Sequence, residues 1–293
     1  MRMRTILVLA VIPALAAACG SGSPAGSGLP VVASTNVYGD IAAQIGGANV
    51  DVTSVLSDPN ADPHLFEPGT RNGLAVSKAR LLIENGVGYD DFMGRLANAA
   101  PSNDRIVVSI GDALGVHGRD ANPHLWYDVP RLPQIAGAIA AGLREADPAH
   151  AGAYRTGLRR FTNSLGPLDR EVRTIRERFA GRAVAYTEPV PGYLLDAAGL
   201  RNLAPTAFTR AIENGTEPSP RAVAAMDDLV GKHRIAVLLY NSQAVSPITG
   251  RIRAEAIAAG IPVVGVTETL PPHRTFQQWQ LAQVKALRSA LSK

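Results

Sequence analysis

The chain has 293 residues, of which 46% are apolar and 18% are charged, and its formal net charge is +4. This composition predicts a globular protein with a sizeable core, and the length favours two lobes. Aromatic residues make up 5% of the chain and Lys and Arg form no dense run, so nucleic-acid binding is not expected. The single cysteine, Cys19, excludes an intramolecular disulfide and a Cys-rich zinc module.

The first residues of the chain indicate export. Two arginines precede an apolar run, residues 6–18, that is too short to span a bilayer. The run ends in small residues directly before Cys19, which is similar to a bacterial lipobox. We therefore expect residues 1–18 to be a signal peptide and Cys19 to be lipidated, so that acyl chains anchor the protein on the extracytoplasmic face of the cell membrane. An ordinary cysteine inside the signal peptide is the alternative.

Residues 19–29 are rich in glycine and serine. A phosphate-binding loop would follow a strand and open a helix, whereas this stretch follows a cleavage site and precedes a strand-like run. We expect a lipidated, flexible tether between the membrane and the folded domain.

Short β-rich runs then alternate with helical stretches. The predicted strands are Val31–Ser34, Val50–Leu56, Leu81–Ile83, Ile106–Ser109, Ala183–Thr187, Ile235–Tyr240 and Pro262–Thr267. Such alternation predicts an α/β fold with parallel sheets. Residues 110–182 have no comparable strand signal, so we expect an N-terminal lobe at 30–147 and a C-terminal lobe at 181–293.

The gap between the predicted lobes contains one apolar helical stripe. Its members recur at spacings of four and three: Tyr154, Leu158, Phe161, Leu165, Leu168, Val172, Ile175 and Phe179. A single helix over 148–180 would be about 48 Å long and could link two lobes. Gly166-Pro167 interrupts this helix, so a kink or a break into two helices is an alternative. Another is a helical hairpin within one lobe.

Four residues that could bind a metal ion lie in segments with turn-forming residues: His64, His124, Glu188 and Glu268. Each glutamate directly follows a predicted strand, and each histidine lies in a loop beyond one. Because ligands of parallel α/β folds gather beyond the carboxyl ends of the strands, we expect these side chains to converge. Imidazole and carboxylate together suit Mn²⁺, Fe²⁺ or Zn²⁺. Taken singly, each histidine could be a loop residue bonded to backbone, and each glutamate could favour a nearby helix N-terminus.

Several short motifs occur in the order seen in one protein family. They are Ala33-Ser34-Thr35-Asn36, Ile45-Gly46-Gly47, Asp62-Pro63-His64 with Glu67-Pro68, Asn122-Pro123-His124-Leu125-Trp126-Tyr127-Asp128, Gly192-Tyr193 with Gly199-Leu200, and Glu217-Pro218-Ser219-Pro220. The chain from about residue 31 onward resembles the metal-binding solute-binding lipoproteins of bacterial ABC transporters, the zinc and manganese family known as cluster A-I.

The resemblance implies two α/β lobes joined by a long rigid helix, with the metal ion in the cleft between them. His64 and His124 match the two N-lobe ligands of the family. Glu188 matches the third ligand, which is His or Glu and stands five residues before the tyrosine of a Gly-Tyr pair, here Tyr193. The fourth ligand is normally Asp, and Glu268 stands in its place.

The resemblance also bears on the metal and on the surroundings of the site. Glutamate as the third ligand goes with manganese or iron in the family, which slightly favours Mn²⁺ or Fe²⁺ over Zn²⁺. Glu67 and Asp128 could each accept the far ring N–H of a ligand histidine. Trp126 could exclude water from the site. Each of the three could instead have a plain structural role.

We therefore expect no enzyme but a monomeric binding protein that passes a metal ion to a membrane permease and its ATPase. One alternative is a metal-dependent hydrolase, although such sites keep one coordination position open and the chain lacks the usual hydrolase motifs. Another is a two-lobed binder of an organic ligand such as a siderophore, which would need a wider cleft lined by aromatic residues.

Overall fold

The computed structural model describes residues 28–59, 61–118 and 120–293, apart from the side chain of His64. The expected signal peptide, the lipidation of Cys19 and most of the tether lie outside these residues.

Eight strands are present in the described part of the chain. They are β1 (Leu29–Thr35), β2 (Val50–Leu56), β3 (Leu81–Glu84), β4 (Ile106–Ser109), β5 (Ala183–Tyr186), β6 (Arg201–Asn202), β7 (Leu238–Asn241) and β8 (Val263–Val266). The first sheet has the order β2-β1-β3-β4 and the second has the order β6-β5-β7-β8. All neighbouring strands are parallel, which confirms the predicted α/β class with two parallel sheets.

Two details of the strand prediction were wrong. β6 was missed because it has only two residues, both polar, and so shows no apolar run. β7 begins at Leu238 rather than Ile235 and extends to Asn241, which places a polar side chain at its carboxyl end.

Helices cover both faces of the sheets. Their bounds are α1 (Asn36–Gly46), α2 (Thr70–Lys78), α3 (Phe92–Ala99), α4 (Ile110–Leu114), α5 (Leu132–Ala146), α6 (Ala151–Ser164), α7 (Gly166–Phe179), α8 (Gly192–Ala197), α9 (Thr206–Glu213), α10 (Pro220–Gly231), α11 (Pro247–Ala258) and α12 (Phe276–Leu291). In the described part of the chain, no helix combines the length and the apolar character needed to cross a membrane.

The apolar stripe of residues 151–179 belongs to two consecutive helices, α6 and α7. They meet at Leu165, which keeps helical dihedral angles, next to Pro167, whose ring nitrogen cannot donate a hydrogen bond. α6 packs against α1 and α5, whereas α7 packs against α8 and α12. The segment therefore contacts both lobes. Six of its stripe residues are buried in one apolar cluster that continues through both lobes, and Leu158 and Phe179 pack against this cluster partly buried.

The contact between α6 and α1 depends on one glycine. A Cβ atom on Gly157 would overlap the backbone carbonyl of Ile45 at the end of α1. Gly152, one turn earlier in α6, has only the end of an arginine side chain nearby, at 3.8 Å. The absence of a side chain at position 157 is thus what permits the two helices to approach.

The strand orders place a topological switch point in each sheet. In the first sheet it lies between β1 and β3, and in the second it lies between β5 and β7. Loops leave neighbouring strands in opposite directions at such a point and open a crevice beyond the carboxyl ends of the strands. The segments that follow β4, β5 and β8 supply His124, Glu188 and Glu268, which are described next.

Candidate metal centre

Three of the four predicted metal ligands converge. One donor atom each from His124, Glu188 and Glu268 lies within 4.8 Å of the others. Their exposed fractions are 0%, 1% and 0%. A buried imidazole between two buried carboxylates is a donor set that matches a divalent transition metal ion.

The two carboxylates come from the second lobe, and parallel-strand geometry places both. Glu188 stands two residues after the end of β5, and Glu268 stands two residues after the end of β8. Both strands end at the same edge of the sheet because all its pairs are parallel. The position of each glutamate directly after a predicted parallel strand was sufficient to locate these two side chains at this edge of the sheet.

His124 comes from the first lobe, directly before a short 3₁₀ turn, Leu125–Tyr127. Its Nδ1 lies 2.7 Å from Oδ1 of Asn122, and this oxygen also accepts the His124 backbone N–H at 3.1 Å. The amide nitrogen of Asn122 donates to the carbonyl of Pro189 at 2.8 Å. Since these bonds assign oxygen to the atom facing the ring, Nδ1 carries a proton, and Nε2 is the ring nitrogen that could bind a metal ion.

The other ring nitrogen of His124, Nε2, faces a carboxylate. Nε2 is 3.2 Å from Oε2 of Glu268. Two electron-rich atoms at this separation need a proton or a cation between them. Together with the negative charges of Glu188 and Glu268, this geometry fits a divalent cation, which would make the set neutral.

An aromatic cluster packs against the ring of His124. The ring of Trp126 is fully buried, with its centroid 5.4 Å from that of His124, and the ring of Tyr89 lies 4.9 Å from that of Trp126. The Tyr89 hydroxyl donates to Oε2 of Glu268 at 3.1 Å. Burial and the neighbouring Glu268 raise the pKa of Tyr89 well above its ordinary value, so that the phenol stays protonated and remains a donor.

Asn241, at the carboxyl end of β7, lies between the two carboxylates. Its Nδ2 donates to Oε2 of Glu188 at 2.5 Å and to Oε1 of Glu268 at 2.7 Å. Its own backbone N–H donates to Oγ1 of Thr187 at 3.1 Å. One amide therefore fixes the relative position of both glutamates.

The turn that carries Glu268 is bonded to the first lobe. The Asn36 side chain donates to the Leu270 carbonyl at 2.8 Å and accepts the Leu270 N–H at 2.9 Å. The Tyr127 hydroxyl donates to the Thr267 carbonyl at 2.7 Å. Residues on both sides of Glu268 are thus held by side chains of the opposite lobe.

Gln243 connects the same turn to the loop that precedes His64. Its Oε1 accepts the N–H of Glu268 at 2.5 Å, and its Nε2 donates to the carbonyl of Pro59 at 2.9 Å. The backbone of His64 belongs to a 3₁₀ turn, Pro63–Leu65, but its side chain lies outside the described part of the structure. His64 as a ligand stays a prediction.

Asp128, one of the two carboxylates expected to accept the ring N–H of a ligand histidine, does not bond to His124. The ring proton of His124 goes to Asn122, while Asp128 accepts a hydrogen bond from Nε of Arg131 at 2.6 Å. Asp128 stands at the start of the next turn, where its carboxylate pairs with a basic side chain three residues on. Glu67 is exposed, and its role beside a ligand histidine stays a prediction.

Several polar residues of the site were missed at the level of sequence. Asn122 belongs to one of the family motifs but was given no role, although an Asn side chain often accepts the backbone N–H two residues later in an Asx turn. Asn241 follows an apolar strand as directly as Glu188 does. Tyr89 lies in a glycine-rich loop after β3 and carried no recognisable signal, since its contact to Glu268 joins residues 179 positions apart.

A cleft between the lobes lies beside the centre. It has a volume of about 480 Å³ and is lined by Tyr89 and Pro123 from the first lobe and by Arg210 and Glu213 from the second. Arg210 bridges its edge by donating to the carboxylate of Asp120 at 2.7 Å and to the Asp120 carbonyl at 2.8 Å. A larger cavity of about 660 Å³ lies along β8 and is lined by none of the proposed ligands.

Comparison with known proteins identifies a family whose model matches most of the chain. A family model described as "Zinc-uptake complex component A periplasmic" matches residues 31–290. The chain is 31% identical to the manganese-binding lipoprotein MntA of Halalkalibacterium halodurans over 202 residues, and this alignment covers 66% of each chain. It is 26% identical over 261 residues to the manganese ABC transporter substrate-binding lipoprotein PsaA of Streptococcus anginosus, which covers 82% of each chain.

A solved structure shares the architecture. The periplasmic zinc-binding protein TroA from Treponema pallidum aligns with a TM-score of 0.77 at 18% identity, covering 90% of this chain and 99% of that one. This likeness establishes a common fold, with two parallel-sheet α/β lobes.

Proposed function

Since the chain belongs to the family of the periplasmic component A of zinc-uptake complexes, we propose that it captures a divalent transition metal ion outside the cytoplasmic membrane and delivers it to an ABC-type permease and its ATPase. The observation that carries this proposal is the buried convergence of His124, Glu188 and Glu268 between the two lobes. The ion is cargo, so the site must hold it and release it unchanged.

His64 is proposed as the fourth ligand. The loop before it is bonded to Gln243, and Gln243 also accepts the N–H of Glu268. The loop that leads to His64 is therefore anchored to the same turn as one of the glutamates. Two imidazoles and two carboxylates would complete a neutral four-ligand site for a divalent ion.

The closed donor set argues against the two rival functions. A hydrolytic zinc site keeps one position for water, whereas four protein ligands leave none. Binding of an organic ligand such as a siderophore is not favoured by the family match or by donors that lie within 4.8 Å of one another. Family members act as substrate-binding proteins, and we propose that this chain likewise performs no chemistry.

The cargo is proposed to be Mn²⁺, Fe²⁺ or Zn²⁺. Relatives are named for manganese and the family is named for zinc uptake. Affinity on nitrogen and oxygen sites rises from Mn²⁺ to Zn²⁺ whatever the biological cargo is. Tight zinc binding in vitro would therefore not by itself identify the ion carried in the cell.

Attachment to the membrane through lipidated Cys19 and a monomeric state are also proposed. Relatives with this architecture are named lipoproteins of ABC transporters. Replacement of Cys19 by alanine should release the protein from the membrane fraction. A Cys19→Ala protein that sediments with membranes as abundantly as the wild type would contradict the lipid anchor.

The proposed function is tested by metal loading of purified protein. Protein that has been stripped with a chelator and reloaded should bind one Zn²⁺ or Mn²⁺ per chain, measured by elemental analysis after gel filtration. His124→Ala and Glu188→Gln should each lower the affinity by more than about 100-fold, because losing a ligand costs more than losing its outer partner.

A matched control is Glu171→Gln. This change also neutralises a carboxylate, but Glu171 pairs with Arg288 between α7 and α12 and is not one of the proposed ligands. It should leave metal affinity unchanged. Failure of the wild-type protein to bind any of the three ions stoichiometrically would refute the proposed function.

A further inference from the structure

The side chain of Asn241 has one orientation that satisfies its contacts. Its Oδ1 accepts the backbone N–H of Gln243 at 3.0 Å. Because a backbone N–H can only donate, the atom that faces it must be the amide oxygen, and the NH₂ group must face the glutamates. The residue is 1% exposed, so water does not compete for these bonds.

Both N–H groups of that amide donate to the carboxylates of proposed metal ligands. One reaches Oε2 of Glu188 and the other reaches Oε1 of Glu268. Each glutamate thereby has one oxygen held by Asn241. In Glu268 the other oxygen, Oε2, faces His124 Nε2 and also accepts the Tyr89 hydroxyl at 3.1 Å, so one of its two lone pairs is left for a metal ion.

We infer that Asn241 determines metal selectivity by holding each glutamate to a single coordinating oxygen. Resting on the proposed function, this inference limits the donors to two carboxylate oxygens and two imidazole nitrogens, counting the proposed His64. A four-coordinate site of nitrogen and oxygen suits Zn²⁺, whereas Mn²⁺ prefers six, mostly oxygen, ligands. Binding of both oxygens of both glutamates would raise the donor number to six.

This inference predicts a weaker preference for Mn²⁺ than the presence of glutamate at position 188 suggests. The resemblance associates glutamate as the third ligand with manganese or iron, and a carboxylate that binds through both oxygens would suit the higher coordination number of Mn²⁺. Here the amide at the end of β7 takes one of them. The site should therefore discriminate against Mn²⁺ more strongly than its ligand residues suggest.

The test compares Asn241→Ala and Asn241→Leu with wild-type protein, using Co²⁺, Zn²⁺ and Mn²⁺ as probes. Co²⁺ reports coordination number because its visible bands are intense at four-coordinate sites and weak at six-coordinate ones. Wild-type protein should show the intense bands, and the variants should show weaker ones. The ratio of Mn²⁺ to Zn²⁺ affinity, from competition with a chelating dye, should rise about 10-fold or more in both variants, the scale typical of outer partners of metal ligands.

Asn202→Ala provides a matched control. Asn202 also stands at the end of a strand of this sheet, and its Oδ1 accepts the N–H of the residue two positions later, Ala204, at 3.0 Å. It thus makes the same turn bond as Asn241 at the end of a different strand. Its replacement should change neither the Co²⁺ spectrum nor the affinity ratio.

The outcomes separate the two proposals. Wild-type protein that binds no ion contradicts the proposed function. Wild-type protein that binds Co²⁺ with the weak bands of six-coordination overturns the role of Asn241 without any variant. Folded variants with the wild-type spectrum and affinity ratio overturn it as well, since a merely structural residue would change only the thermal midpoint.

Discussion

Replacement of Asn122 offers a sharp test of how the site is oriented. Asn122→Ala removes the acceptor 2.7 Å from Nδ1 of His124, the bond to the His124 backbone and the donor to the Pro189 carbonyl. Without the first of these bonds the imidazole is free to rotate or to change tautomer. Loss of such a partner typically lowers metal affinity 10- to 100-fold, or about 1.4 to 2.8 kcal/mol of binding free energy.

Asn122→Asp separates the contributions. Aspartate keeps an oxygen for the ring and for the backbone N–H of His124, but it places an acceptor where Asn122 donates to Pro189. We expect metal affinity equal to or above that of wild type, because a carboxylate partner raises the basicity of the ring. The metal-free protein should lose about 1 to 3 kcal/mol of stability from the unsatisfied carbonyl.

Both quantities are measurable on the same samples. Zn²⁺ affinity follows from competition with a fluorescent chelator, and stability follows from denaturant unfolding of the stripped protein by circular dichroism. If Asn122→Ala binds Zn²⁺ within threefold of wild type, the ring is oriented by something else. Equal losses of affinity in both variants would assign the effect to the Pro189 contact instead.

Two further predictions concern the fold. Gly157→Ala should destabilise the metal-free protein by about 2 kcal/mol or more, since its Cβ would overlap the backbone of α1; Gly152→Ala in the same helix should be neutral or stabilising by up to about 1 kcal/mol. Equal unfolding midpoints for the two variants would contradict the close approach. Burial and the neighbouring Asp90, Asp112 and Asp91 raise the pKa of Glu84 to about 7, so the neutral carboxyl of Glu84 stabilises the fold. This contribution to the unfolding free energy should be lost as pH rises from 4.5 through about 7. Glu84→Gln should match wild type near pH 4.5 and exceed its unfolding free energy above pH 7, and a difference that does not vary with pH would refute the assignment.

Much of the fold was predictable because its signals are local. Alternating β-rich and helical runs indicated two parallel sheets, and the position of Glu188 and Glu268 directly after strands indicated which end of the sheet they occupy. Gly166-Pro167 marked the place where α6 and α7 meet, since a proline weakens a helix whatever surrounds it.

The parts that escaped prediction depend on long-range geometry. The role of Asn241 follows only when β7 is known to lie beside β5, because this adjacency brings its amide to Glu188 and Glu268. Asp128 was expected to accept the far ring N–H of a ligand histidine and to fix its tautomer, and Asn122 was given no role. The turn geometry decided otherwise, since it brings the amide oxygen to both the ring and the backbone of His124.

The bonds around Glu268 have a mechanical consequence. The peptide that carries this ligand is continuous with the second lobe but is fastened at Thr267 and Leu270 to side chains of the first. A displacement of one lobe relative to the other therefore acts directly on residues 267–270, the short stretch that contains the carboxylate. A partner that grips both lobes could extract the ion by displacing one short turn, without unfolding either sheet.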